Sequence, residues 1–385
     1  MTPSSSRTPA PRNSGIDLLR GLSIVLVILN HIGLRIRLAR GVLAAFLPHQ
    51  FLNDLNFNGS EAVYIFFVIS GFLIAANSIA RWGSLGAIDA RAFYVRRAAR
   101  IVPCLAALVA LLSALHLARV PDYVINQPHQ SLPGAVSSAF GLYLNWYEAH
   151  TGYLPAGWDV LWSLSIEEIF YLAFPIVCLL LRRDWILAPL LAVLALSLPV
   201  TLGAIVHNPI WREKAYLPGM AGIATGILGA LIAAHATPRR RGVMILLTLI
   251  GVSGLVAVLG FEQQLWHFLR DSTLLLLTFP VMGLLLAFHA RPGSTIPGTR
   301  WLQSFGRLSY EIYLTHMFVV MTLVRVFKAT GASVWWGVLW YPPALALAWA
   351  LGALVARFFS TPAEQAIRRR FLKPRSANAA EVTAV

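Results

Sequence analysis

Residues 60–80 read SEAVYIFFVISGFLIAANSIA, a stretch in which Glu61 alone carries a charge. A helix of that length spans roughly 30 Å, the hydrocarbon thickness of a bilayer. Runs of the same kind recur outward in both directions. Apolar windows at 15–35, 101–119, 162–181, 185–206, 218–236, 243–260, 272–290, 308–328 and 336–359 join 60–80 to give about ten helices. These runs are continuous, unlike the alternating segments of an outer-membrane barrel, so the sequence predicts an all-α, polytopic membrane bundle. Composition points the same way. Of 385 residues, 57% are apolar or aromatic and 12% are charged, about half the charge of an ordinary soluble domain.

The net charge of +15 raises the question of nucleic acid. The basic residues sit in short clusters between apolar runs, where lipid headgroups and the positive-inside rule put them, and nucleic acid is excluded as a partner. With the N-terminus inside, the inner segments hold twenty Lys and Arg against nine outside. Both termini are therefore expected in the cytoplasm, which places the chain in the cytoplasmic (inner) membrane. Residues 1–14, MTPSSSRTPAPRNS, are Pro- and Ser-rich and expected to be disordered. No small-x-small cleavage site closes the next run, so it is read as a retained helix rather than a signal peptide. The membrane domain is expected over 15–359, with 360–385 a short polar cytoplasmic tail. The outer connection 120–161 carries no Lys or Arg and is expected to form a partly structured cap. Cys104 and Cys178 fall inside apolar helices and read as buried, inert thiols.

Charge inside a membrane costs about 2.5–3.5 kcal/mol per residue at a helix centre, so each instance needs a reason. The first helix, GIDLLRGLSIVLVILNHIGLR, holds Asp17, Arg20 and His31. At about 100° per residue these share one face, with Arg20 and His31 roughly 16 Å apart along the axis. The fourth helix opens with WSLSIEEIFYLAFP, which puts Glu167 and Glu168 at a depth close to that of His31. A His31–Glu167 pair at matching depth would fix the imidazole tautomer and raise its basicity. The same residues would also serve packing alone, if His31 bonded a carbonyl and the glutamates bonded neighbouring helices. Before the third helix, RAFYVRRAARIVP carries Arg91, Arg96, Arg97 and Arg100. These fit an orientation signal, and they equally fit a phosphate-bearing ligand arriving from the cytoplasm. No Walker loop, dinucleotide fingerprint or metal-ligand spacing occurs, so neither a bound metal nor a tightly held cofactor is expected.

Taken in order, IDLLRGLSIVLVILNH, FFVISGFLI at 66–74, RRAARIVP at 96–103, WSLSIEEIFYLAFP at 162–175 and LSYEIYLTHMFV at 308–319 resemble the membrane-bound acyltransferase 3 family. The resemblance covers essentially the whole chain. It implies a ten-helix bundle that takes an acyl group, usually acetyl, from cytoplasmic acyl-CoA to a hydroxyl of a carbohydrate, lipid-linked sugar or other acceptor. It implies that Arg20 and His31 are required, and that Arg97, Arg100 and Glu167 belong to the site. Two departures stand out. The soluble esterase-like domain fused in some members is not expected here, and GSEAVYIFF places Glu61 and Tyr64 where many relatives are richer in Gly.

On this reading Arg97 and Arg100, with Arg96 beside them, dock the donor phosphates, and Arg20 guides the pantetheine arm. His31, oriented by Glu167, acts on the acceptor hydroxyl as general base or carries the acyl group covalently. Asp17, Ser70, Glu168 and His316 are candidate channel residues, although Ser70 also suits close helix packing. The rival reading is a transporter or flippase of glycan intermediates, with the polar stripe as its path. A non-catalytic scaffold would leave the intramembrane charges without a role.

Overall fold

The computed structural model describes residues 13–236, 240–291 and 296–372. In chain order the helices are α1 (Ser14–Gly33), α2 (His49–Phe57), α3 (Gly59–Trp82), α4 (Ala90–Leu117), α5 (Leu132–Phe140), α6 (Leu144–Thr151), α7 (Leu161–Leu181), α8 (Asp184–Leu196), α9 (Leu198–Gly203), α10 (Pro209–Lys214), α11 (Tyr216–His235), α12 (Arg241–Leu269), α13 (Leu275–His289), α14 (Arg300–Arg307), α15 (Ser309–Ala329), α16 (Tyr341–Val355) and α17 (Thr361–Phe371). Among the described residues there is no strand, and the protein is an all-α membrane bundle. Eight segments are long and apolar enough to cross a bilayer, against the ten windows of the sequence. The difference has two sources. One qualifying segment, Arg241–His289, holds both α12 and α13, joined by the 3-10 turn Arg270–Leu274. The expected span 185–206 is broken at Ser197, which ends α8 and leaves Pro199 to open the short α9.

Helix α1 runs through the middle of the bundle, packed on α3, α13, α14, α15 and α16. Its Ile24, Ile28 and Ile32 are fully buried. Asn13 starts it, accepting from the amides of Gly15 (3.1 Å) and Ile16 (3.2 Å) while donating to the Phe288 carbonyl (2.7 Å). Helices α3 and α11 make the most extensive contact, and glycines set it. A Cβ on Gly71 would strike the Ile223 carbonyl, and one on Gly226 the Val68 carbonyl, so only Gly allows these backbones to meet. Outward-facing Leu246, Leu249 and Val256 of α12 are exposed, as a lipid-contacting face requires.

One end of the bundle carries Arg81, Arg96, Arg97 and Arg100; it is called the arginine end. The other is covered by α5, α6 and the 3-10 turn Ala156–Trp158, the cap end. The expected cap over 120–161 thus holds two helices and a 3-10 turn joined by irregular segments. Glu148 and Trp158 are fully buried, and Lys214 Nζ sits between Glu148 (2.7 Å) and Asp159. Cys104 and Cys178 are buried and free. Residues 361–371 of the expected tail form α17, which packs on α4. Residues 1–12 and 373–385 lie outside the described residues.

Candidate functional site

Two cavities lie along α1. The first, at the arginine end, has a volume of about 330 Å³ and is walled by Arg20, Ser70, Arg97, Arg100, Glu167 and Ser309 among others. Arg20 lies a turn and a half into α1, and its Nε and guanidinium NH2 nitrogens both donate to Ser309 Oγ (3.1 and 2.8 Å) at the start of α15. Ser70 donates to Glu167 (3.2 Å). Arg97 is ion-paired with Glu168 and lies over the Tyr171 ring at 4.0 Å. Arg100 faces Glu364 of α17 (3.5 Å) and the Tyr310 ring (5.0 Å). The consecutive glutamates thus divide their work, Glu168 neutralising Arg97 and Glu167 closing the wall. The result is a slot with three guanidinium groups in its wall and a mixed polar and apolar lining, suited to an anionic head with an apolar arm.

The second cavity, at the cap end, has a volume of about 510 Å³ and is walled by Asn30, His31, Arg35, Tyr153, Asp159, Trp162 and Glu213 among others. His31 stands in the last turn of α1, its ring centroid 5.1 Å from that of His316 on α15. His316 is fully buried. Its Nδ1 faces the carbonyls of Ile312 (3.1 Å) and Tyr313 (2.8 Å), so the proton sits there and Nε2 presents a lone pair. That Nε2 has no hydrogen-bond partner among the described residues. Burial pushes Arg35 below its usual pKa, against the pull of Asp159 and Asp122, and it raises Tyr153 to about 12, with Glu213 adding to the rise.

The two spaces abut. Val63 and Tyr313 line both, and the Tyr313 hydroxyl is hydrogen-bonded to Ser163 Oγ at 2.7 Å. Tyr313 and Ser309 belong to the LSYEIYL block but were not singled out by sequence reasoning. Their signal was two polar residues a helical turn apart on the α15 face that meets α1.

Several expectations need correction. Glu167 does not meet His31: the one faces the arginine-end cavity, the other the cap-end cavity, with no hydrogen bond between them among the described residues. Residues 154–160 fold into the bundle instead of lying on its surface, and His31 shares a cavity wall with them. Glu167 is five residues beyond Trp162, roughly 7.5 Å further along α7. Asp17, Glu168 and His316, expected along a channel, line none of the cavities described. Asp17 is buried where α1 crosses α14, its carbonyl against Gly306; Glu168 is taken by Arg97, and His316 lies behind His31. Arg96 also turns away from the slot, toward Asp89, Arg81 and Arg368, because it sits about 100° around α4 from Arg97. Arg20, His31, Ser70, Arg97, Arg100 and Glu167 do face one or other cavity.

A family model described as an acyltransferase domain matches residues 13–356. The chain belongs to the acyltransferase 3 family. Both cavities of this acyltransferase 3 chain lie within the matched residues. A peptidoglycan O-acetyltransferase OatA of Listeria monocytogenes is 25% identical over 90% of the chain and 55% of its own length. An O-acetyltransferase OatA of Staphylococcus aureus is 23% identical over 82% of the chain and 52% of its own length. The chain spans about half the length of these curated relatives. A putative O-acetyltransferase of S. aureus is 30% identical over 38% of the chain. No solved structure matches.

Proposed function

We propose that the chain is a membrane O-acyltransferase that moves an acyl group, acetyl in the simplest case, from acyl-CoA to a hydroxyl of a carbohydrate or glycan-like acceptor. The observation that carries this reading is the junction at Val63 and Tyr313 between an arginine-walled space and one walled by a histidine. The relatives' names, which specify O-acetyl transfer and in one case peptidoglycan, support the acyl group and the acceptor class. Acyl-CoA is a substrate in this scheme, and no tightly bound cofactor is invoked.

Arg97 and Arg100 would bind the donor phosphates and Arg20 the arm that follows it down the slot. Glu167 balances these guanidinium groups and holds Ser70. The thioester carbonyl would reach the Tyr313 junction. There one nitrogen of His31 takes the proton of the acceptor hydroxyl as its oxygen attacks the carbonyl, and the C–S bond breaks to release CoA thiolate. The other His31 nitrogen would donate to the bare Nε2 of His316, the orienting role first expected of Glu167. Aromatic, amide and carboxylate groups on the cap-end wall match the face and edge of a sugar.

The balance of Lys and Arg favours placing the arginine end in the cytoplasm of an inner membrane. With Cys104 and Cys178 replaced, a cysteine at Ser84 should resist an impermeant thiol reagent in intact cells while one at Gln130 labels. The decisive experiment incubates purified protein with radiolabelled acetyl-CoA and an oligosaccharide, following free CoA and acyl-sugar together. Coupled release and transfer supports the reading. Passage of uncleaved thioester or glycan across proteoliposomes would replace it with transport.

A further inference from the structure

Glu61, set apart in the sequence as the one charge of 60–80, is used by nothing described so far. It stands in the first turn of α3 and is 7% exposed. It faces a third cavity of about 250 Å³, walled also by Tyr64, Arg212, Glu213, Glu262, Trp266, Arg270 and Asp271. Apart from its own backbone amide, no group among the described residues donates to the Glu61 carboxylate; the charged neighbours acting on it are Glu262 and Glu213, both of like sign. The cations of this wall are committed or distant. Arg212 pairs with Asp271 and donates to the Leu202 (2.9 Å) and Ile205 (3.3 Å) carbonyls, and Arg270 lies over the Trp266 ring at 5.6 Å. Four carboxyl groups therefore line this cavity against two guanidinium groups, an excess of acidic over basic side chains.

A buried acidic group without a counter-ion is costly to ionise, and a ligand that brings a cation into the cavity offsets that cost. The cavity is continuous in its walls with the His31 cavity, since Ser60 and Glu213 line both. Trp266 and Tyr64 add aromatic faces of the kind that hold a cation or a sugar ring.

We infer that this third cavity is a second acceptor subsite, which holds a protonated amine on the unit next to the sugar reacting at His31, with Glu61 and Glu262 as its counter-charges. The acceptor would then be an amine-bearing saccharide rather than a neutral or anionic one. The inference rests on the transferase reading for the word acceptor, but the site itself is testable without turnover.

The test is equilibrium binding of a glucosamine tetrasaccharide and of its fully N-acetylated counterpart to the full chain in detergent, by titration calorimetry at neutral pH. Both probes have the same ring and linkage, and only the first carries ammonium groups. Wild type should prefer the amine form by about tenfold or more. Glu61→Gln and Glu262→Gln should each bring that ratio to about twofold or less, with acyl-CoA affinity unchanged as the control for folding. Equal affinity for the two probes in wild type overturns the inference even if no variant folds, as does a preference that survives in both variants. If the preference is present and needs Glu61 while no acyl group is ever transferred, the site stands and the transferase reading falls. Transfer without the preference has the opposite meaning.

Discussion

The arginine-end and cap-end cavities adjoin along α1, yet they hold their polar groups differently. At the arginine end the charged side chains are tied: Arg20 to Ser309, Glu167 to Ser70, Arg97 to Glu168, Arg100 facing Glu364. At the cap end the wall is tied through Lys214, but among the described residues nothing hydrogen-bonds the His31 ring, and His316 Nε2 is bare beside it. A site that must recognise a fixed anion gains from donors held in place before the ligand arrives. A group that must take up and release a proton needs a nitrogen left open. On the function proposed above, the contrast separates a binding half from a reacting half.

The largest effect is expected from breaking the reacting half. His31→Ala should lower acyl transfer by about 10²–10⁴-fold, the range for loss of a general base, with acyl-CoA affinity unchanged. Transfer assays alongside CoA binding check this, and near-normal turnover would leave the cap-end cavity with no chemical role. Next is the scaffold of that half. Lys214→Ala strands Glu148 and Asp159 in the cap and should cost about 3–5 kcal/mol of stability, read as a lower unfolding midpoint in detergent.

In the binding half, Arg100→Ala should weaken acyl-CoA by about 1.5–3 kcal/mol, the range for hydrogen bonds to a charged group, while acceptor affinity stays constant. Unchanged CoA affinity would reduce the arginine cluster to an orientation signal. The smallest effects sharpen the division most. His316→Ala removes the lone pair that the proposed mechanism offers to His31, and should lower turnover about tenfold and move the pH–rate profile. Glu167→Gln should instead raise the KM for acyl-CoA a few-fold, about 1 kcal/mol, and leave that profile in place. A pH shift in the Glu167 variant and none in the His316 variant would restore the pairing expected from helix depth.

What was legible in the sequence follows from one-dimensional physics. Long apolar runs fix a membrane bundle because buried backbone groups must be paired within the segment. The rarity of charge in those runs made Arg20, His31 and Glu167 visible at once, since each is too costly to persist without a role. Helical spacing put Arg20 and His31 on one face of α1, and these two residues do line the adjoining cavities. Depth could not be read in the same way. It depends on where each helix starts in the bilayer, and the 3-10 turn before α7, folded inward around the buried Trp158, moved His31 away from Glu167 and toward His316. Which side chain meets which across helices is decided by register and by close approaches such as Gly71 on Ile223. No periodicity within a single helix encodes that register, so the division into two cavities, and the cavity at Glu61, belong to the tertiary structure alone.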